Sequence, residues 1–351
     1  MLLQSKRWLF LTLIGLVTGG SMLNLNVPCT NSAGESGHCI KLSECKSLSA
    51  NVTESEASRA MRELIRQSRC GVQNKDDLVC CAIPGSTSKN TTLPRIPQCG
   101  YNFDNLILIP VVKLDDFGWT VLLMYEKVDE SVGFYCEGSL INSRYVLTAA
   151  HCINLRGSKL VGVRLGEYDL SNEGPDCDQN GCADAPVDVD IEKIIIHPEY
   201  SKARHAINND IALIRLVREV PFSNFIRPIC LPIDSSERSR NITGGGAIMT
   251  GWSDDTSVKQ RHDLAIMDTE QCNTILEPLR LNHNETYLCA KESDRHHCRD
   301  SSGSSLIKRI ESRYFLYGIA SLRSNGCGGD NEVFVYTNVS KYIDWIESQL
   351  E

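Results

Sequence analysis

Three short segments carry side chains that together can perform acyl transfer. They hold His151 in Thr-Ala-Ala-His-Cys, Asp210 in Asn-Asp-Ile-Ala-Leu and Ser302 in Cys-Arg-Asp-Ser-Ser-Gly. In such a set the serine attacks a carbonyl carbon, the histidine accepts the serine proton, and the aspartate orients the imidazole ring. The order histidine, aspartate, serine, with these neighbouring residues, therefore indicates a nucleophilic triad.

Short strand-like segments lie around these residues and must position them. Apolar runs at residues 119–125, 145–149 and 211–216 are separated by turn residues, as in all-β domains. The end of the chain differs, because apolar residues recur there at helical spacing: Val339, Ile343, Ile346 and Leu350. The pattern predicts a mainly β domain closed by an amphipathic helix.

Composition limits the classes of function that the chain can have. Its 351 residues are 42% hydrophobic and 23% charged, as in globular proteins, and the net charge of −8 offers no basic face for nucleic acid or anionic membranes. Lys6 and Arg7 precede an apolar run at residues 8–17 and then small residues. This order predicts a secretory signal peptide at residues 1–22 rather than the alternative, a membrane anchor, because the run is too short to cross a bilayer.

The sixteen cysteines of an exported chain indicate disulfides. Six of them fall within residues 29–81, a module too small to bury much apolar surface without covalent links. Thr53 and Glu56 form a capping-box pattern, which predicts a helix inside this module. Residues 82–98 are rich in Pro, Ser and Thr and read as a linker, so the second domain spans residues 99–351.

These segments resemble a known family. Residues 99–351 resemble a chymotrypsin-fold serine protease domain, and residues 29–81, with six cysteines ending in a Cys-Cys pair, resemble a clip domain. Together they resemble an arthropod clip-domain serine protease. The resemblance implies a chymotrypsin-like double β-barrel with the site in the cleft between the barrels, preceded by the small disulfide-rich clip domain.

The resemblance also implies how the cysteines pair. In the clip domain it implies Cys29–Cys80, Cys39–Cys70 and Cys45–Cys81. In the larger domain it implies Cys99–Cys230, Cys136–Cys152, Cys272–Cys289 and Cys298–Cys327. The two cysteines that remain can pair with each other in an acidic loop: Cys177 and Cys182.

The nucleophile loop departs from the family pattern Cys-x-Gly-Asp-Ser-Gly-Gly-Pro-Leu. Aligned without a gap on residues 298–306, the pattern keeps Ser302 as nucleophile but places Asp300 where a glycine completes the oxyanion hole. A carboxylate there opposes the charge that develops on the substrate oxygen. Ser301 replaces the aspartate that pairs with the new N-terminal amine after activation. A one-residue gap would instead align Asp300 and Ser301 with the family's Asp-Ser, but it shifts the flanking residues out of register.

Activation and substrate recognition also depart from the family. The activation junction falls after Asn105, where the family has Arg or Lys. His296 takes the base of the primary specificity pocket, which is acidic in trypsin-like relatives. Arg323 and Phe334 take the wall positions where small residues keep the pocket open.

We therefore expect a secreted haemolymph protein with a retained triad and no proteolytic activity. Its expected role is that of an adaptor, cofactor or regulator of an extracellular immune cascade, with proteases or prophenoloxidase as partners in melanisation. The first alternative is an active serine endopeptidase of unusual specificity. The second is a module that recognises microbial surfaces.

Weaker signals concern ligands and modification. We expect no cofactor and no metal, although the acidic stretch at residues 167–192 offers oxygen ligands that suit calcium. The neighbouring His296-His297-Cys298 is not expected to bind a metal, because Cys298 is assigned to a disulfide. Five N-x-S/T sequons predict glycosylation sites: Asn51, Asn90, Asn241, Asn284 and Asn338.

Overall fold

The structure is a computed structural model that describes residues 27–30, 36–45, 48, 65–66, 68–73, 76–82, 93–96, 98–102, 112–179, 181–203, 206–253, 256–278, 281, 285–292, 302–323 and 333–351. The chain divides into two compact units, residues 1–86 and 87–351.

The smaller unit is a four-stranded antiparallel sheet. Its strands are β1 (Val27–Thr30), β2 (Ser36–Lys41), β3 (Arg69–Gln73) and β4 (Asp76–Ala82), in the order β1-β2-β4-β3. Its apolar cluster is small, so disulfides supply much of its cohesion. Those bridges are Cys29–Cys80, Cys39–Cys70 and Cys45–Cys81. The helix predicted at Thr53 and Glu56 lies outside the described residues.

The larger unit begins with a closed barrel. Its six strands are β5 (Thr120–Lys127), β6 (Val132–Leu140), β7 (Tyr145–Thr148), β8 (Ser158–Leu165), β11 (Val187–Ile196) and β14 (Ala212–Leu216). They close in the order β11-β14-β7-β6-β5-β8. Two small hairpins project from it, β9 (Cys177–Asp178) with β10 (Gly181–Cys182), and β12 (Ser201–Ala203) with β13 (Ala206–Asn208).

A second closed barrel follows. Its strands are β15 (Gly246–Ser253), β16 (Thr256–Ile266), β17 (Tyr287–Glu292), β18 (Ser305–Ile310), β19 (Arg313–Arg323) and β20 (Phe334–Asn338). They close in the order β15-β16-β17-β20-β19-β18. The predicted mainly β, double-barrel architecture is therefore confirmed.

Helices are few among the described residues. They are α1 (Ser235–Arg238), α2 (Thr269–Leu276) and α3 (Ile343–Gln349). The terminal helix α3 was predicted, and it buries Ile343 and Ile346 as expected. The prediction missed α1 and α2, which are short and begin at capping aspartates, Asp234 and Asp268. None of the described helices is long and apolar enough to span a membrane.

Aromatic residues and disulfides join the parts of the larger unit. The buried ring of Trp119 lies 5.9 Å from that of Phe117, which precedes the first barrel, and 5.7 Å from that of Tyr314 in the second barrel. Leu93, near the end of the predicted linker, is also buried in this core. Among the described residues the unit has four disulfides: Cys99–Cys230, Cys136–Cys152, Cys177–Cys182 and Cys272–Cys289.

Candidate active site

A histidine and an aspartate form a close pair at the ends of two strands of the first barrel. His151 lies in a single helical turn, Ala150–Cys152, directly after β7, and Asp210 directly precedes β14. His151 Nδ1 is 2.7 Å from Asp210 Oδ2, and the His151 backbone N–H donates to Oδ1 at 2.9 Å. The Asp210 carboxylate thus orients the imidazole ring through Nδ1, which leaves Nε2 as the ring nitrogen available to a nucleophile.

Neighbouring residues fix Asp210 in this position. Its side chain is fully buried, and the Ser321 hydroxyl of β19 donates to Oδ2. The Thr337 hydroxyl of β20 donates to the Asp210 carbonyl oxygen at 2.9 Å. Asn209, just before it, has φ +50°, a conformation that asparagine tolerates better than most residues. The carboxylate is therefore held by groups from both barrels.

The segment of Ser302 is anchored beside this pair by backbone contacts. The Glu137 N–H donates to the Ser302 carbonyl oxygen at 2.9 Å, and the Gly303 N–H donates to Ala320 O at 2.9 Å. Gly303 has φ +80°, and a Cβ there would lie 2.2 Å from Glu137 O and 2.6 Å from Thr148 Oγ1. Only glycine fits this position, and its contacts fix the conformation of the backbone directly after Ser302.

Sequence reasoning missed Glu137, a carboxylate buried behind the nucleophile segment. Its side chain is 5% exposed, and Oε1 accepts a hydrogen bond from the Trp252 N–H at 3.0 Å. Gly251 provides the space, because a Cβ there would lie 2.1 Å from the carboxylate. The sequence does contain one indication of this burial. Glu137 is the single charged residue in Cys-Glu-Gly-Ser-Leu, a segment whose other residues are small or apolar.

Lys259 is a second buried charge that the sequence pattern did not reveal. It is 3% exposed, and its Nζ lies 5.4 Å from the centre of the Trp252 ring and 3.5 Å from the Asp116 carbonyl oxygen. Burial lowers the pKa of Lys259 to about 8, although Asp116 and Glu167 act in the opposite direction. Lys259 of the second barrel thus interacts with Asp116, which precedes the first barrel, and with Glu167, which follows β8 of that barrel.

The acidic stretch at residues 167–192 uses its buried carboxylates locally. Glu167 and Asp176 are 1% and 6% exposed, and burial raises the pKa of Glu167. Glu167 Oε2 pairs with Arg164 at 3.4 Å, and Asp176 Oδ2 accepts from the Asp169 N–H at 3.0 Å. Both buried carboxylates thus have protein partners, and calcium binding in this stretch remains only the alternative that the acidic sequence offered.

A cluster of potential metal ligands near the pair has a covalent explanation. Atoms of Cys136, His151 and Cys152 lie within 4.8 Å of one another. Both sulfur atoms belong to one disulfide and offer no thiolate. The cluster is therefore part of the support of His151 and not a metal site.

Comparisons with known proteins identify the family. A family model described as Trypsin matches residues 112–346, and one described as Regulatory CLIP domain of proteinases matches residues 29–81. This chain belongs to the clip-domain serine proteases. It is 38% identical to CLIP domain-containing serine protease B4 of Anopheles gambiae, over 93% of both chains, and 33% identical to Phenoloxidase-activating factor 3 of Holotrichia diomphalia, over 98% of this chain and 99% of the other. The crystal structure of the drosophila Grass clip serine protease of the Toll pathway matches with TM-score 0.62 and 29% identity, over 92% of this chain and 97% of that chain.

The wall of the expected specificity pocket is described at one position of this clip-domain protease fold. Phe334 is 2% exposed, and its ring lies 6.4 Å from that of Tyr336 within the second-barrel core. Its backbone pairs with that of Arg323 on β19. The two residues assigned to the pocket walls by sequence are therefore cross-strand neighbours.

The other altered positions lie outside the described residues. These are Asn105, His296, Asp300 and Ser301, and of Arg323 only the backbone is described. The cysteines Cys298 and Cys327 lie outside them as well. The interpretations attached to these positions stay predictions.

Downstream of the nucleophile, two serines are buried in the second barrel. Ser304 and Ser305 are 1% and 2% exposed, and their hydroxyls have no hydrogen-bond partner among the described residues. A buried hydroxyl without a partner destabilises a fold. These residues replace glycine and proline of the family pattern.

Proposed function

We propose that this clip-domain serine protease is a non-catalytic homologue that acts as an adaptor or regulator in an extracellular immune protease cascade. The observation that carries the proposal is Asp300, two residues before the retained nucleophile Ser302. In the family alignment Asp300 stands where a backbone N–H stabilises the oxyanion. An aspartate keeps its backbone N–H, but its Cβ restricts the backbone conformation that points this N–H at the oxyanion, and its carboxylate opposes the developing negative charge. The loss of one such donor lowers the rate about 10²–10³-fold.

Further residues support the same conclusion. Phe334 is a large, buried side chain at a position where the family keeps room for the substrate. Ser301 cannot accept the ion pair from a new N-terminal amine, and Asn105 gives a trypsin-like activator no basic residue to bind. Activation, substrate binding and charge stabilisation are therefore all weakened together.

The proposed partners follow from the relatives. They include Phenoloxidase-activating factors 1 and 3 of Holotrichia diomphalia and Melanization protease 1 of Drosophila melanogaster. These similarities support the proposal of a protein secreted into haemolymph, with proteases or prophenoloxidase as its binding partners. The clip domain and the disabled cleft are the surfaces available for those contacts.

One observation favours the alternative, an active endopeptidase. His151 and Asp210 keep the geometry of a working base, and Ser321 and Thr337 support it. An enzyme would still require a usable oxyanion site and an activated form. The two functions therefore differ in whether Ser302 becomes reactive.

A fluorophosphonate probe distinguishes these functions. The protein secreted from insect cells would be exposed to the probe both intact and after nicking, with trypsin as positive control and Ser302→Ala as matched negative control. We expect no labelling above the Ser302→Ala level. Labelling that depends on Ser302, or turnover of a peptide library, would overturn the proposal.

Affinity capture tests the partner class. Intact and nicked protein would be used as bait in haemolymph, and the captured proteins would be identified by mass spectrometry. We expect a cascade protease or prophenoloxidase. Recovery of bacteria or glucan by the isolated protein, without these partners, would instead support a microbial recognition module.

A further inference from the structure

Two of the five glycosylation sequons have asparagines that differ in burial and in hydrogen bonding. We propose that Asn241 carries an N-linked oligosaccharide in the secreted protein and that Asn338 does not. The sequons are Asn241-Ile-Thr and Asn338-Val-Ser, which the sequence alone cannot rank. The other three sequon asparagines lie outside the described residues.

Asn241 presents a free amide to solvent. It lies in the exposed loop between α1 and β15. Its Oδ1 accepts hydrogen bonds from the Thr243 N–H at 3.0 Å and the Thr243 hydroxyl at 2.7 Å. Nδ2 makes no hydrogen bond to any residue that the structure describes. The oxygen is thus oriented by its own sequon, and the nitrogen that would bear the sugar is accessible.

Both the nitrogen and the oxygen of the Asn338 side-chain amide make hydrogen bonds inside the fold. Its side chain is 9% exposed, and Nδ2 donates to the Glu285 carbonyl oxygen at 2.8 Å. Its Oδ1 accepts from the Ser340 N–H at 3.2 Å, which caps the turn Val339–Lys341 after β20. Its backbone N–H donates to Thr286 O at 2.8 Å. Asn338 is therefore a structural residue that holds β20 to the segment before β17.

The chemistry of attachment explains why this difference matters. Nδ2 attacks the anomeric carbon of an oligosaccharyl diphosphate lipid. The bond from that carbon to the diphosphate oxygen breaks, and Nδ2 loses one proton. At Asn241 the new bond points into solvent and leaves the hydrogen bonds of Oδ1 in place. At Asn338 the sugar would have to occupy the space between Nδ2 and Glu285 O, so a modified chain would lose the cap and the cross-link.

Location alone does not separate the two asparagines. Asn241 and Asn338 both border one surface cavity of about 350 Å³. The distinction rests on the burial and hydrogen bonding of each amide. It is also independent of whether Ser302 is reactive, so the proposal stands apart from the proposed function.

Site-resolved mass spectrometry tests the proposal. Secreted protein would be treated with peptide-N-glycosidase A in heavy-oxygen water, which converts each glycosylated asparagine to a labelled aspartate. We expect labelled aspartate at position 241 and unmodified asparagine at position 338. Unmodified Asn241, or label at position 338, would overturn the proposal.

Variants that remove each sequon without altering its asparagine provide the matched control. Thr243→Ala should lower the mass of the secreted protein by one glycan. Ser340→Ala should leave the mass unchanged, because its backbone N–H still donates to Asn338. A loss of glycan mass in Ser340→Ala, or none in Thr243→Ala, would contradict the proposal even if direct substitutions of Asn338 fail to fold.

Discussion

Lys259 offers a quantitative test of the buried charges between the barrels. Burial lowers its pKa to about 8 from the 10.5 of a solvated lysine. Between these values the unfolded chain binds one proton more than the folded chain, so stability should rise with pH across that window. A pKa difference of about 2.5 corresponds to about 3 kcal/mol at full effect. Below pH 8 both states are protonated and the contribution is constant.

The perturbation is Lys259→Met, which keeps the length of the side chain and removes its titration. Urea unfolding of the wild type and the variant would be measured from pH 7 to 10.5. Tryptophan fluorescence suits this measurement, since the described tryptophans all lie in the larger unit: Trp119, Trp252 and Trp345. We expect the unfolding free energy of the wild type, minus that of the variant, to increase by about 3 kcal/mol between pH 7 and 10.5.

The exposed Lys291 supplies the control, because Lys291→Met removes one positive charge without changing a buried group. Its stability difference from the wild type should stay flat with pH. The reasoning would be refuted if the Lys259→Met difference were equally flat. It would also be refuted if the wild type lost stability, relative to the variant, as pH rises from 8 to 10.5.

Substitutions at Gly303 and Glu137, with Gly157 as a control, test the support of the nucleophile segment by thermal or urea unfolding. Gly157→Ala should cost about 1–2 kcal/mol, because its φ is +74° but nothing lies within 4 Å of the added Cβ. Gly303→Ala, with similar φ, should cost clearly more, because its Cβ meets Glu137 O; equal costs would contradict the clash. Glu137→Ala should cost about 1–3 kcal/mol, because the buried Trp252 N–H loses its acceptor. Glu137→Gln, which retains an oxygen, should cost less, and the opposite order would contradict the assigned contact.

Much of the fold was predictable because local patterns and tertiary structure agree. The apolar run at 145–149 became β7, Tyr145–Thr148, and the apolar spacing near the C-terminus became α3. The motifs around His151 and Asp210 predicted the close pair, since each stands at the end of a strand of one barrel. The assignment of Phe334 to the pocket wall rests on the family alignment and stays a prediction.

The buried charges were not predictable in the same way. Glu137 and Lys259 alternate with other residues on strands whose pattern does not reveal which polar side chain turns inward. Their burial depends on residues far away in the chain, such as Gly251 for Glu137 and Asp116 for Lys259. Periodicity reports the face of a strand, but only the assembled barrels show which charges face each other.

The bridge Cys99–Cys230 determines what becomes of the chain after cleavage. It spans 131 residues, and the guanidinium groups of Arg227 and Arg313 lie over the ring of the nearby Tyr101, at 5.7 and 4.9 Å from its centre. A single cut between the tether and the first barrel leaves both fragments in one covalent molecule. Such a cut would change nothing on a non-reducing gel and would give two bands after reduction. The clip module would then remain covalently attached to the protease domain, and only reduction of this bridge would release it.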